Sequence, residues 1–243
     1  MGFKQTYSMI FWRHTEKGNT SFEDISERIY KVLQIFNKNL PYEYCPNYKS
    51  VNKKCDVKIY DWNYENFCND LKKNINHTKE CVFEKLGYSL SFFSSLEDNK
   101  SFGYRLNVGV KDSRFINVFS VHLAADFNYF NKDMAKILEL IFYDCVNEFG
   151  AFYACVSNSL IKNGQSAILK SDSLYKITSI QWLNYWDSEI LKKFDNKKLK
   201  ILQRKHKEFS FNNGFIKLKD IPLDAENPED IKYVQEIESE LGL

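Results

Sequence analysis

Two stretches in the middle of the chain alternate apolar residues with small or polar ones. Leu86, Tyr88, Leu90 and Phe92 are interleaved with Gly87, Ser89 and Ser91. After a polar turn at Glu97-Asp98-Asn99, Phe102, Tyr104, Leu106, Val108 and Val110 are interleaved with Gly103, Arg105, Asn107 and Gly109. A period of two puts every apolar member on one face of a strand and every polar member on the other. After Lys111-Asp112-Ser113-Arg114, residues 115–123 are apolar on both faces, which predicts a more buried strand. The short polar turns favour antiparallel neighbours, so a meander over 86–123 is expected to organise the fold.

The rest of the chain can be placed around this ladder. Thr6 to Arg13 reads as a strand with Tyr7, Met9 and Phe11 on one side and Ile10 and Trp12 on the other. Thr20-Ser21-Phe22-Glu23 predicts a capping box, in which a hydroxyl accepts a backbone N–H and Glu23 reaches back. A helix then runs to about Asn37 on an Ile25, Ile29, Leu33, Phe36 stripe and stops before Pro41. Residues 41–55 read as an irregular connection, and Val57, Ile59 and Asp61 as a short extended segment. Asn63 is a candidate cap for a helix burying Phe67, Leu71 and Ile75, with a polar loop at 74–79.

Asn131 caps the strongest predicted helix, which carries Met134, Ile137, Leu138, Ile141, Cys145 and Val146 on one face and ends at Gly150. Ala151 to Ser157 is a nearly unbroken apolar strand. The spacing allows the helix to cross back onto the same sheet. Asn163-Gly164 marks a turn, Asp187 starts a short helical stretch, and a late strand follows Gly214. Asn227-Pro228 opens a last helix with an Ile231, Val234, Ile237, Leu241 stripe and an acidic outer face. The predicted class is α+β: one domain over 1–243, mostly antiparallel sheet flanked by amphipathic helices. The alternative is an N-terminal βα lobe at 1–77.

Composition narrows the functional classes. At 243 residues, with 44% hydrophobic and 16% aromatic positions, the chain can bury a ring-rich core without a metal or disulfides. Its net charge of +2 implies no global attraction to nucleic acid or membrane. No apolar run reaches the length of a membrane span. The run Met9 to Trp12 is too short for a signal peptide and is closed by Arg13, so a cytoplasmic protein is expected. Cys45, Cys55, Cys68, Cys81, Cys145 and Cys155 form no C-x-x-C pair and read as reduced, mostly buried thiols. No metal or cofactor is expected.

Chemistry-bearing patterns are few. No phosphate-binding glycine loop, zinc motif or nucleophile elbow is present. His122, near Asp126, could act as a general base, which keeps an enzyme as one alternative. The basic run from Lys192 to Lys207 offers phosphate contacts, but it lacks a series of stacking aromatics and faces an acidic C-terminal helix in composition. Trp182, Tyr185 and Trp186 have two readings. One is core packing; the other is an anchor for a protein partner, with Asp187 beside it.

The order of these features resembles the immunity protein 52 family of bacterial polymorphic-toxin systems. The residues that carry the likeness are Ile10-Phe11-Trp12, Ser26-Glu27-Arg28, Leu86-Gly87-Tyr88-Ser89-Leu90, Asn107-Val108-Gly109, Asn117-Val118, Trp182-Leu183-Asn184-Tyr185, Gly214-Phe215-Ile216 and Glu226-Asn227-Pro228. Gln181 stands where the family pattern has glycine, and residues 38–80 are poorly matched. The resemblance implies a non-enzymatic α+β protein that binds a cognate toxin, nuclease-like in kind, and blocks it in the producing cell. Trp182, Tyr185, Trp186 and Asp187 are the expected contact residues. No catalytic residue, cofactor or nucleic acid is implied.

Overall fold

The computed structural model describes residues 5–15, 21–51, 55–59, 63–78, 80–161, 168–171, 174–194 and 196–243. Its strands are β1 (Tyr7–Arg13), β2 (Tyr48–Val51), β3 (Cys55–Lys58), β4 (Tyr88–Phe93), β5 (Gly103–Val108), β6 (Asn117–His122), β7 (Tyr153–Asn158), β8 (Ile168–Ser171), β9 (Leu174–Ile177), β10 (Leu183–Trp186), β11 (Ser210–Asn212) and β12 (Phe215–Lys217). Its helices are α1 (Phe22–Asn39), α2 (Tyr64–Lys73), α3 (Lys132–Phe149), α4 (Ser188–Leu191), α5 (Asn196–Lys205) and α6 (Pro228–Leu241). A ten-stranded sheet has the order β11-β12-β10-β7-β1-β6-β5-β4-β2-β3, and β8 pairs with β9 separately. Every neighbouring pair in the large sheet is antiparallel. The α+β class and the meander are as the alternation predicts.

Register separates the two faces of this sheet. Val156, Met9, Val121, Tyr104 and Phe92 lie opposite one another across β7, β1, β6, β5 and β4; Ala154, Phe11, Phe119, Leu106 and Leu90 form the next such row. All ten are buried. Helices α1 and α3 lie over them: Phe36 meets Tyr104 and Phe119 edge to face, and Phe142 packs on Phe11 at 5.6 Å. Phe67 brings α2 onto Phe92. Each such ring removes enough apolar area from water to contribute about 1.5–3 kcal/mol.

The helix ends follow local chemistry. Ser21 accepts from the Asp24 N–H, Asn63 from Asn66, Asn131 from Asp133 and Met134, and Asn227 from Glu229. Gly150 closes α3 in the left-handed region at φ +69°. Asn131→Ala removes the acceptor for two otherwise unpaired N–H groups and is expected to lower stability by about 1 kcal/mol, read from urea unfolding.

Several expectations are corrected. Residues 41–55 are not irregular throughout: β2 and β3 form a hairpin on the sheet edge. They were hidden because four-residue edge strands carry too few positions to show a period. Ile75 leaves the α2 stripe and bridges Tyr88 instead. The third meander strand is buried on one face only, and Phe115 is exposed ahead of it. The acidic surface of α6 is not wholly outward: Asp230 is buried on Lys219 at 2.6 Å, and Glu238 accepts the Ile180 N–H at 3.0 Å. Thr20, Asp61 and the Asn163-Gly164 turn lie outside the described residues.

Candidate functional site: an uncovered polar sheet face

The opposite face of the sheet changes character from one end to the other. One cross-strand row runs Trp186, Tyr153, Trp12, Val118, Asn107, Ser89, and the next runs Asn184, Cys155, Ile10, Ser120, Arg105, Ser91. At the β10 and β7 end these residues are fully buried. There Phe194 stacks on Trp186 at 4.6 Å, and the chain around α4 and α5 covers the sheet. At the β5 and β4 end Asn107, Arg105 and Ser89 are exposed, and among the described residues no helix lies over them. The residues there are small or hydrophilic, and an apolar helix would gain little by packing on them.

This uncovered part is walled on one side and forms a groove of about 880 Å³. The wall is the segment Asn74–Thr78, which is tied to the sheet by backbone bonds. Ser89 N–H donates to Asn74 O (2.9 Å), Asn76 N–H to Gly87 O (2.9 Å), and Phe83 N–H to Asn76 O (2.7 Å). Side chains strengthen it. Asn76 Nδ2 donates to Leu86 O at 2.7 Å, and the Ser89 hydroxyl lies 2.8 Å from Asn76 Oδ1. The groove wall is thus a loop segment held in place by hydrogen bonds to residues 86–89 and 83. Its ionisable lining residues are Arg105 on the floor and His77 on the wall, with no aspartate or glutamate among the described residues.

His122 stands on the same face, opposite Gly103 and Ser8. Its Nδ1 lies 2.8 Å from Ser8 Oγ, so the ring is oriented by Ser8 rather than by Asp126. Burial first, then the nearby Arg105 guanidinium, hold its pKa below the usual 6.5. The unfolded chain then binds a proton more readily than the fold does. The stabilising contribution of neutral His122 is complete above about pH 6.5 and is lost as pH falls through the lower folded value. An NMR titration of the ring should give a midpoint below that of free imidazole, and Arg105→Gln should raise it.

The aromatic cluster named from sequence is elsewhere. Trp182 is buried and donates from Nε1 to Lys219 O at 2.9 Å; Trp186 is also buried. Both rings are fully buried, as the core reading expects. Tyr185 is half-buried on the helix-covered face against Phe215, and the Asp187 carboxylate caps α4 by accepting the Ile190 N–H. The four residues thus form no common contact patch. The basic run lies mostly on α5, where Leu199 and Leu202 are buried, Lys192 pairs with Glu189, and Lys205 pairs with Glu240 of α6. Buried Cys45 and Cys155 have thiols pushed up to about 11 and about 12, chiefly by desolvation, which leaves them poor nucleophiles at neutral pH. Among the described residues no cluster of three or more His, Cys, Asp or Glu could hold a metal, and no helix is long and apolar enough to cross a membrane.

The polar half of the alternation already contained the groove floor. Ser89, Ser91, Arg105 and Asn107 were legible as one face; that this face would stay uncovered was not. The fold is similar to that of the Pseudomonas aeruginosa T6SS protein PA0821, with a TM-score of 0.60 and 9% identity over 98% of this chain and 73% of that one. At that identity the likeness is one of fold. No protein-family model matches the sequence, and no curated protein does.

Proposed function

We propose that this protein is an immunity-type inhibitor that binds a cognate, nuclease-like toxin and neutralises it in the producing cell. The observation that carries this reading is the uncovered groove on β4–β6. An inhibitor needs a rigid scaffold with one exposed complementary surface and no cofactor. A wide sheet backed by α1 and α3 supplies the scaffold, and the hydrogen-bonded wall keeps the surface in shape without a partner. The likeness to a protein described as belonging to a T6SS supports a secretion-system setting. So does the resemblance to immunity protein 52.

The test is co-expression with the product of the adjacent upstream gene. Growth should be rescued by this chain, and the two proteins should co-purify at equal stoichiometry. Neither rescue nor co-purification would end the inhibitor reading.

A further inference from the structure

We infer that the groove receives a carboxylate-bearing segment of the protein partner, with Arg105 as its charge anchor. This rests on the inhibitor reading and adds the chemistry of the contact. Arg105 projects from the middle of the uncovered face, flanked by Ser120 on one strand and Ser91 on the other. The described residues give its guanidinium neither an ion-pair nor a hydrogen-bond partner. None of the described Asp and Glu residues lines this groove. A planar donor fork without an acceptor, ringed by neutral hydroxyls and amides, is complementary to a carboxylate, which it can hold through two parallel bonds.

The neutral rim adds direction. Ser91, Asn107, Ser120 and Asn76 can donate to or accept from the backbone of an incoming loop, which no charged wall would do as evenly. A nucleic-acid strand fits less well, because a polyanion is held by several cations that neutralise successive phosphates. Among the described residues Arg105 is the one permanent cation lining the groove, and the nearby His122 is disfavoured as a cation. A volume of about 880 Å³ is enough for a short loop with one or two side chains inserted.

Two experiments decide it. In the first, a capped peptide of alternating aspartate and glycine is titrated into the isotopically labelled full chain at low salt. The amides of Ser89, Ser91, Arg105, Asn107 and Ser120 should shift, and the shifts should vanish in Arg105→Gln and with added salt. Shifts that persist in Arg105→Gln, that are matched by a lysine–glycine peptide, or that are exceeded by those from a thymidine oligonucleotide would overturn the proposal. In the second, affinity for the upstream-gene toxin is measured for Arg105→Glu and for Lys136→Glu, an equal charge reversal on the exposed surface of α3. Arg105→Glu should weaken binding about tenfold or more, with the thermal midpoint unchanged and Lys136→Glu near wild type. If the two variants bind alike, the groove assignment falls and the inhibitor reading stands. If the wild-type chain forms no complex, the inhibitor reading falls, and the peptide titration alone decides whether the groove is a carboxylate site.

Discussion

Trp186→Ala is expected to cost roughly 3–5 kcal/mol of folding stability, because it truncates a large, fully buried ring. The indole lies between the sheet and Phe194, on the face where Tyr153 is its cross-strand neighbour. Nothing nearby can flow into the space, since β10, β7 and β12 are held by their ladders. For a chain of this size the loss lowers the thermal midpoint by about 6–20 °C. Trp182→Ala should behave similarly, with the added loss of the bond to Lys219 O. Calorimetry or urea unfolding checks both. The contrast with Arg105 is diagnostic: a partner anchor loses binding while keeping its melting point, and a core ring does the reverse. A Trp186→Ala protein that melts like wild type yet fails to bind would return the tryptophans to the contact surface.

Gly87→Ala is expected to cost roughly 3 kcal/mol or more, from two sources that add. The residue has φ +67° and ψ −142°, a region open essentially to glycine alone. A Cβ there would also sit 2.2 Å from Val108 O and 2.6 Å from Gly109 C, both backbone atoms that cannot rotate away. Relief requires moving the start of β4 away from the end of β5. That movement would carry the groove wall with it, because Gly87 O accepts the Asn76 N–H. The variant should therefore lose both thermal stability and partner binding. Chemical shifts of Asn74–Thr78 should report the displaced wall. A protein with near-wild-type stability would show that the β4–β5 junction relaxes more cheaply than its geometry implies.

The legible parts of this molecule are those where a local period or a capping chemistry decides the outcome. The meander was readable because Leu90, Phe92, Tyr104 and Leu106 repeat every second position, and three helices because Asn63, Asn131 and Asn227 are specific N-caps; at α1 the cap is Ser21 on Asp24, one residue beyond the expected Thr20–Glu23 box. The hairpin of β2 and β3 was not, since its strands pair at an edge over four residues each. Nor could periodicity show which polar face would be left open: that depends on α4 and α5 covering one end of the sheet and stopping short of the other. Trp182 and Trp186 are interface residue types, but residue type does not say which side of the surface a ring occupies. Composition alone predicts a solvent-facing position for Asp230 and Glu238. They are buried because Lys219 and the Ile180 N–H, both distant in sequence, need their carboxylates.

The position of β1 has a consequence for how the chain is made. It sits between β6 and β7, so its first ladder waits for residues 117–122 and its second for residues 153–158 to leave the ribosome. Met9 and Phe11 are thus presented early, with their intended neighbours still untranslated. Such long-range closure is slow, and the waiting segment is exposed to mispairing. Chaperone capture during synthesis should concentrate on this strand, which is made well before both of its partners.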